Sequence, residues 1–186
     1  MNEDELHDAL ISMHLRNEAR IKEDFDRSLP FSEGMVDRWE RAKRLGFSEG
    51  VSIYDSAIVF GKVKVGEQSW IGPSVILDGS GGELQIGGYC SISAGVHIYT
   101  HDTVMWALSG GEELPSEGKV IVGDRCHIGS QTTILGDVSI GDCCVVAANS
   151  VVKESVQTMT VVGGSPARKL GSVVFDSSGK PSLKYD

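Results

Sequence analysis

The stretch VGDRCHIGSQTTILGDVSIGDCCVVAANSVV, residues 122–152, decides the fold. Val122, Ile128, Ile134, Ile140, Val146 and Val152 recur at every sixth position. A strand alternates every second residue and an α-helix turns in about 3.6, so neither yields a period of six. A short strand followed by a turn does. Three such units close a triangular coil, and stacked coils bury an aliphatic core that no single coil could bury alone.

Working outward, the same spacing runs back through Ile53, Val59, Val65, Ile71 and Leu77, then Ile86, Ile92 and Ile98. The fifth position of the hexads is small or β-branched, as in Ser69, Val75, Cys90, Val96, Cys126, Thr132, Val138, Cys144, Ser150 and Val156. The reading places the first position inside the prism and the fifth inside near a corner. The second position is often glycine (Gly66, Gly72, Gly87, Gly123, Gly129, Gly141) and is read as the turn, where glycine relieves strain. Cys90, Cys126 and Cys144 fall at the interior position and read as core residues, while Cys143 falls outside it and is expected to be exposed. The expectation is an all-β, parallel β-helix of hexapeptide repeats over residues 49–171, with a helical segment at 1–48 and a tail at 172–186.

Residues 1–48 carry Leu6, Leu10, Ile11, Met13, Ile21, Phe25, Trp39 and Leu45 at roughly helical spacing among charges. Pro30 and Gly34 divide them into two or three helices, expected to pack on one end of the prism. Glycine is abundant, at 23 of 186 residues, and aromatics are 6% of the chain, which suits frequent turns and small packed layers. The net charge of −9 excludes the basic footprint of a nucleic-acid binder. MNEDELHDAL lacks the basic and apolar regions of a signal peptide, and no apolar run could span a bilayer, so a cytoplasmic protein without stable membrane insertion is expected.

A regular prism has no pocket, so function is sought where the repeat breaks. One break, Asp78-Gly79-Ser80-Gly81-Gly82, reads as a tight turn. The other, residues 104–121, reads as an excursion loop, because the repeat resumes in phase after it. Immediately before it stands Tyr99-Thr100-His101-Asp102. A histidine at the base of a long loop suits a general base at neutral pH, since the ordinary imidazole pKa is about 6.5.

The segment from about 65 to 171 resembles the hexapeptide acyltransferases, in particular the branch of galactoside, maltose, streptogramin and sialic-acid-polymer acetyltransferases. The motif THD (100–102) is similar to that branch's catalytic-histidine motif. IGDCCVVAANSVV (140–152) and VVGGSPARKL (161–170) are similar to its coenzyme A signature. The resemblance implies a left-handed helix, a homotrimer, acetyl-CoA as donor in the groove between prisms, and no metal. It implies His101 as the base, with Asp78, Asp102, Trp106 and His127 as oxyanion or acceptor contacts. It implies Gly129, Ala147, Ala148 and Gly163 along the pantetheine groove, and Lys153 and Arg168 on phosphates. The acceptor it implies is a hydroxyl or amine of a sugar, sugar nucleotide or surface polysaccharide. The chain departs from the pattern at His127, where relatives carry Trp, and at Lys153-Glu154, where they carry Thr-Lys. It departs also near Pro73, where galactoside-type enzymes carry an acceptor-binding Asn.

Two other functions fit the same prism. A γ-class carbonic anhydrase binds zinc with three histidines, and His97, His101 and His127 supply the count. Their spacing differs from that family's, which has a close pair five apart with the third upstream. A non-catalytic trimeric scaffold needs neither His101 nor the loop beside it.

Overall fold

The computed structural model describes residues 2–186. Its body is a left-handed parallel β-helix whose hexads stack in three vertical columns. Ile53, Ile71, Ile92, Ile128, Val146 and Val162 stand in register on the first face. Val59, Leu77, Ile98, Ile134 and Val152 do so on the second. Val65, Ile86, Val122, Ile140 and Val156 do so on the third. Apart from partly buried Val59, all of these are buried and form one continuous core. Each fully buried aliphatic contributes roughly 1.5–3 kcal/mol over an exposed one, so the columns are the principal source of stability.

The corners work differently from the sequence reading. The left-handed residues are not the second-position glycines but the fourth-position residues Gln68, Ser74, Tyr89, Arg125, Gln131, Asp137, Cys143 and Asn149, with φ between 54° and 61°. The second-position glycines are needed for closeness between coils. A Cβ on Gly129 would lie 2.5 Å from the Ala148 nitrogen, and one on Gly141 would lie 2.5 Å from the Thr158 nitrogen. Cys143 is buried rather than exposed, since its N–H bonds down to Asp124 O while the coil above bonds Met159 N–H to Asp142 O across the same corner.

The fifth position at one corner is selected for more than size. The Ser69 hydroxyl donates to Gly87 O at 2.8 Å, and the thiols of Cys90, Cys126 and Cys144 donate to Gly123 O, Gly141 O and Gln157 O at 3.1, 3.1 and 3.0 Å. Each side chain thus satisfies a turn carbonyl of the next coil, and the three thiols form one donor column inside the protein.

The repeat is interrupted twice. Ile76–Ile86 runs as one continuous strand through the first interruption, which is therefore a widened corner and not a tight turn. The second adds no coil: Ile98 pairs directly with Ile134, and Ile86 with Val122. Between Tyr99 and Val120 the chain leaves the prism, forming helix α4 (Val104–Leu108 in chain order) and a short antiparallel pair, His101–Asp102 with Ser116–Glu117.

Three helices precede the prism: α1 (Glu3–Phe25), α2 (Phe31–Met35) and α3 (Arg38–Arg44). The last two cap its first coil. Buried Glu33 accepts the Asp55 and Ser56 N–H groups at 2.8 and 2.9 Å, and Arg41 donates to Ala57 O at 2.7 Å and to Tyr54 O. Helix α1 starts with a capping box between Asn2 and Glu5 and buries none of its residues. At the other end, Arg168–Phe175 and Pro181–Tyr185 extend the first face as an antiparallel hairpin.

Candidate functional site

His101 sits where the second face turns toward the third, at the foot of the excursion. Its position is set from below by the widened corner. Thr100 is fully buried; its hydroxyl donates to Asp78 O at 2.8 Å and accepts the Gly81 N–H at 3.1 Å. That contact pulls Gly81 against the histidine: a Cβ there would lie 2.2 Å from His101 Cβ. The antiparallel pairing of His101 with Glu117 holds the other side.

The imidazole faces a carboxylate. His101 Nδ1 lies 3.6 Å from Asp78 Oδ2, with the Asp78 side chain 9% exposed and that of His101 30% exposed. Ser80 Oγ is 3.5 Å from the same Nδ1 and donates to Asp78 Oδ1, which also accepts the Ser80 N–H at 2.9 Å. A carboxylate beside Nδ1 favours the proton there, leaving Nε2 as the basic nitrogen. At 3.6 Å the contact is electrostatic rather than a formed hydrogen bond. Asp102 points elsewhere: it accepts the Val104 N–H at 2.9 Å, and that bond together with Ser116 holds its carboxyl below the ordinary range.

Sequence reasoning treated Ser80 and Gly81 as turn residues. The signal that they differ was the nine-residue step from Leu77 to Ile86, three residues longer than a plain hexad.

The remaining site residues fall in separate places. Trp106 is on α4, 49% exposed. His127 lies exposed on the first face, beside Ser91 and Val145 of the adjacent coils, so one chain does not place it on the face that carries His101. Gly129, Ala147, Ala148 and Gly163 adjoin one another: a Cβ on Gly129 would meet Ala148, and one on Gly163 would lie 2.9 Å from Ala147 Cβ. Lys153 and Arg168 line a groove of about 600 Å³ near the C-terminal end of the prism, together with Lys169. Arg168 Nη1 is 3.4 Å from Glu154 Oε1, an exposed pair. Among the described residues, no three or more His, Cys, Asp or Glu side chains gather in a group able to hold a metal ion. Among them, too, no helix is long and apolar enough to cross a membrane.

The repeat is shared with known proteins. Residues 119–154 match the family described as bacterial transferase hexapeptide (six repeats). The chain is 33% identical over 128 residues to serine acetyltransferase 2 of Arabidopsis thaliana, covering 69% of this chain and 38% of that protein. It is 39% identical over 79 residues to a 2,3,4,5-tetrahydropyridine-2,6-dicarboxylate N-acetyltransferase of Clostridium perfringens (strain SM101 / Type A), covering 42% of this chain and 34% of that protein. The chain thus spans about a third of the length of the curated relatives it matches. Among solved structures, the hexapeptide-repeat containing acetyltransferase VCA0836 of Vibrio cholerae superposes with a TM-score of 0.65 at 28% identity, over 88% of this chain and 92% of that one. The chain is therefore a hexapeptide-repeat left-handed β-helix. The resemblance to hexapeptide acetyltransferases read from its motifs is borne out.

Proposed function

We propose that this chain is an acetyltransferase that takes acetyl-CoA as donor and His101 as general base. The observation that carries the reading is the pairing of His101 Nδ1 with buried Asp78 at the foot of the excursion. Nε2 removes the proton from an acceptor hydroxyl or amine as that atom attacks the thioester carbonyl. The new C–O or C–N bond forms, the C–S bond breaks, and the coenzyme thiolate takes up the proton held on the imidazole. No covalent acyl-enzyme is needed. The acceptor we propose is a sugar, sugar nucleotide or surface polysaccharide, modified in the cytoplasm.

A second copy completes the site in this reading. The outward column of the second face is Ile58, Ile76, His97, Thr133 and Val151, largely apolar and flat. Its burial in a trimer would set the His101 of one chain against the His127 and pantetheine-lining residues of the next. The imidazole N–H of His127 is then the donor for the oxyanion. Lys153, Lys169 and Arg168 supply positive charge for the phosphates, a contrast with the net charge of −9. The likeness to VCA0836, whose structure was also solved in complex with acetyl coenzyme A at a TM-score of 0.64 and 26% identity, supports the donor. Among the described residues of one chain, no grouping of His, Cys, Asp or Glu supports the zinc reading.

The test is release of the coenzyme thiol from acetyl-CoA with a panel of sugar and amine acceptors. His101→Ala is expected to lower turnover about a hundredfold or more, the scale of general-base catalysis, while the melting temperature stays unchanged. Equal turnover in the variant removes His101 from the chemistry.

A further inference from the structure

The Asp78 carboxylate serves His101 only while one of its oxygens is held toward the ring, and an aspartate side chain turns broadly about its last torsion. Ser80 removes that freedom. Its N–H donates to Asp78 Oδ1 at 2.9 Å, and its hydroxyl donates to the same oxygen. Among the described residues no other group donates to the Asp78 side chain, so Oδ2 is left to His101 Nδ1, 3.6 Å away.

The β-helix itself does not require a hydroxyl at this position. The pairing of Ile58–Val65 with Ile76–Ile86 matches Gly61 to Gly79 and resumes with Val63 and Leu84, so Ser80 stands in the part of the widened corner that has no rung in this ladder. It is also exposed, so it adds nothing to the core. The hydroxyl has a single proton, and the carboxylate takes it. The oxygen therefore presents lone pairs to His101 Nδ1 at 3.5 Å. Held this way, Ser80 is not a nucleophile activated by the ring, because the nitrogen it faces is the one that carries the proton.

We infer that Ser80 is a positioning residue: it locks the Asp78 carboxylate, and the carboxylate in turn keeps the imidazole proton on Nδ1 and leaves Nε2 free to accept one. At 3.5 Å its own contact with the ring is longer than a formed hydrogen bond, so its effect runs through Asp78. The consequence for turnover rests on the acyl-transfer reading above, whereas the place of the imidazole proton does not.

The test has two arms, both on the full chain. Nitrogen NMR of the neutral imidazole, assigned by its loss in His101→Ala, is expected to show the proton on Nδ1 in the unsubstituted protein and a larger share on Nε2 in Ser80→Ala. The same tautomer in both proteins overturns the inference. In the thiol-release assay, Ser80→Ala is expected to lower kcat about tenfold or more, the scale of losing an orienting partner, with KM for acetyl-CoA unchanged within roughly twofold. Once Asp78→Asn is in place, Ser80→Ala is expected to change kcat by less than about twofold, because the two act as one unit. An undiminished tenfold loss in the Asp78→Asn background overturns the inference, since Ser80 would then act on its own. The spectrum needs no turnover. Absent thiol release from the unsubstituted protein therefore contradicts the transferase reading, while the tautomer still decides the role of Ser80.

Discussion

At the scale of single residues, His101 stood out as a candidate base because a titratable side chain stands at the base of a long insertion in an otherwise regular repeat. Its surroundings did not. Asp78 and Ser80 lie 23 and 21 positions away in the sequence and reach the imidazole only through the stacking of Asp78 beneath Tyr99. A period of six predicts which residues point inward, but not which of the irregular residues meet one coil later. Gly81 gives a test of this local construction. Gly81→Ala places a methyl 2.2 Å from His101 Cβ, a clash that must displace the histidine or the corner. The expected outcome is a loss of thiol release approaching that of His101→Ala, with little change in circular dichroism. Turnover at the level of the unsubstituted protein would mean that His101 does not depend on this corner.

At the scale of the hexad, the columns were legible in full, since Ile86, Val122 and Ile140 stand in the single inward row that their spacing implies. The reason for the glycines was misread, because sequence alone does not distinguish a left-handed residue from one pressed against the next coil. The two explanations predict different variants. Gly129→Ala should lower stability by about 1–3 kcal/mol through overpacking against the Ala148 backbone. Leu135, at the same hexad position but 39% exposed, should tolerate change to Gly within roughly 1 kcal/mol. Chemical denaturation of the two variants measures the difference, and equal losses would contradict the close-approach account. The thiol column is tested the same way. Cys126→Ser keeps the donor that Ser69 supplies lower in the same column, whereas Cys126→Val keeps the bulk and leaves Gly141 O without it. The valine variant should be the less stable by about 1–3 kcal/mol. The reverse order would show that volume alone governs the position.

At the scale of the whole molecule, the prism is a regular post, and the candidate residues His101 and Arg168 lie at irregularities attached to it, the foot of the excursion and the C-terminal hairpin. The cap shows how far sequence reasoning reached. Helical spacing pointed to two or three helices, and three form, but the carboxylate of Glu33 on the Asp55 and Ser56 amides, which docks α2 to the first coil, left no periodic trace. The groove proposed for the coenzyme has the same character, since Lys153, Arg168 and Lys169 come from the last coil and from the hairpin strand that folds back beside it. The exposed Arg168–Glu154 pair contributes little to stability, so a phosphate can replace the carboxylate at small cost. The central claim, that this groove serves an acyl-CoA donor, is tested most directly by calorimetric titration of the purified protein with acetyl-CoA. The account predicts saturable binding that weakens with rising salt and falls about tenfold or more in Arg168→Gln. Heat changes indistinguishable from dilution at millimolar acetyl-CoA would contradict it.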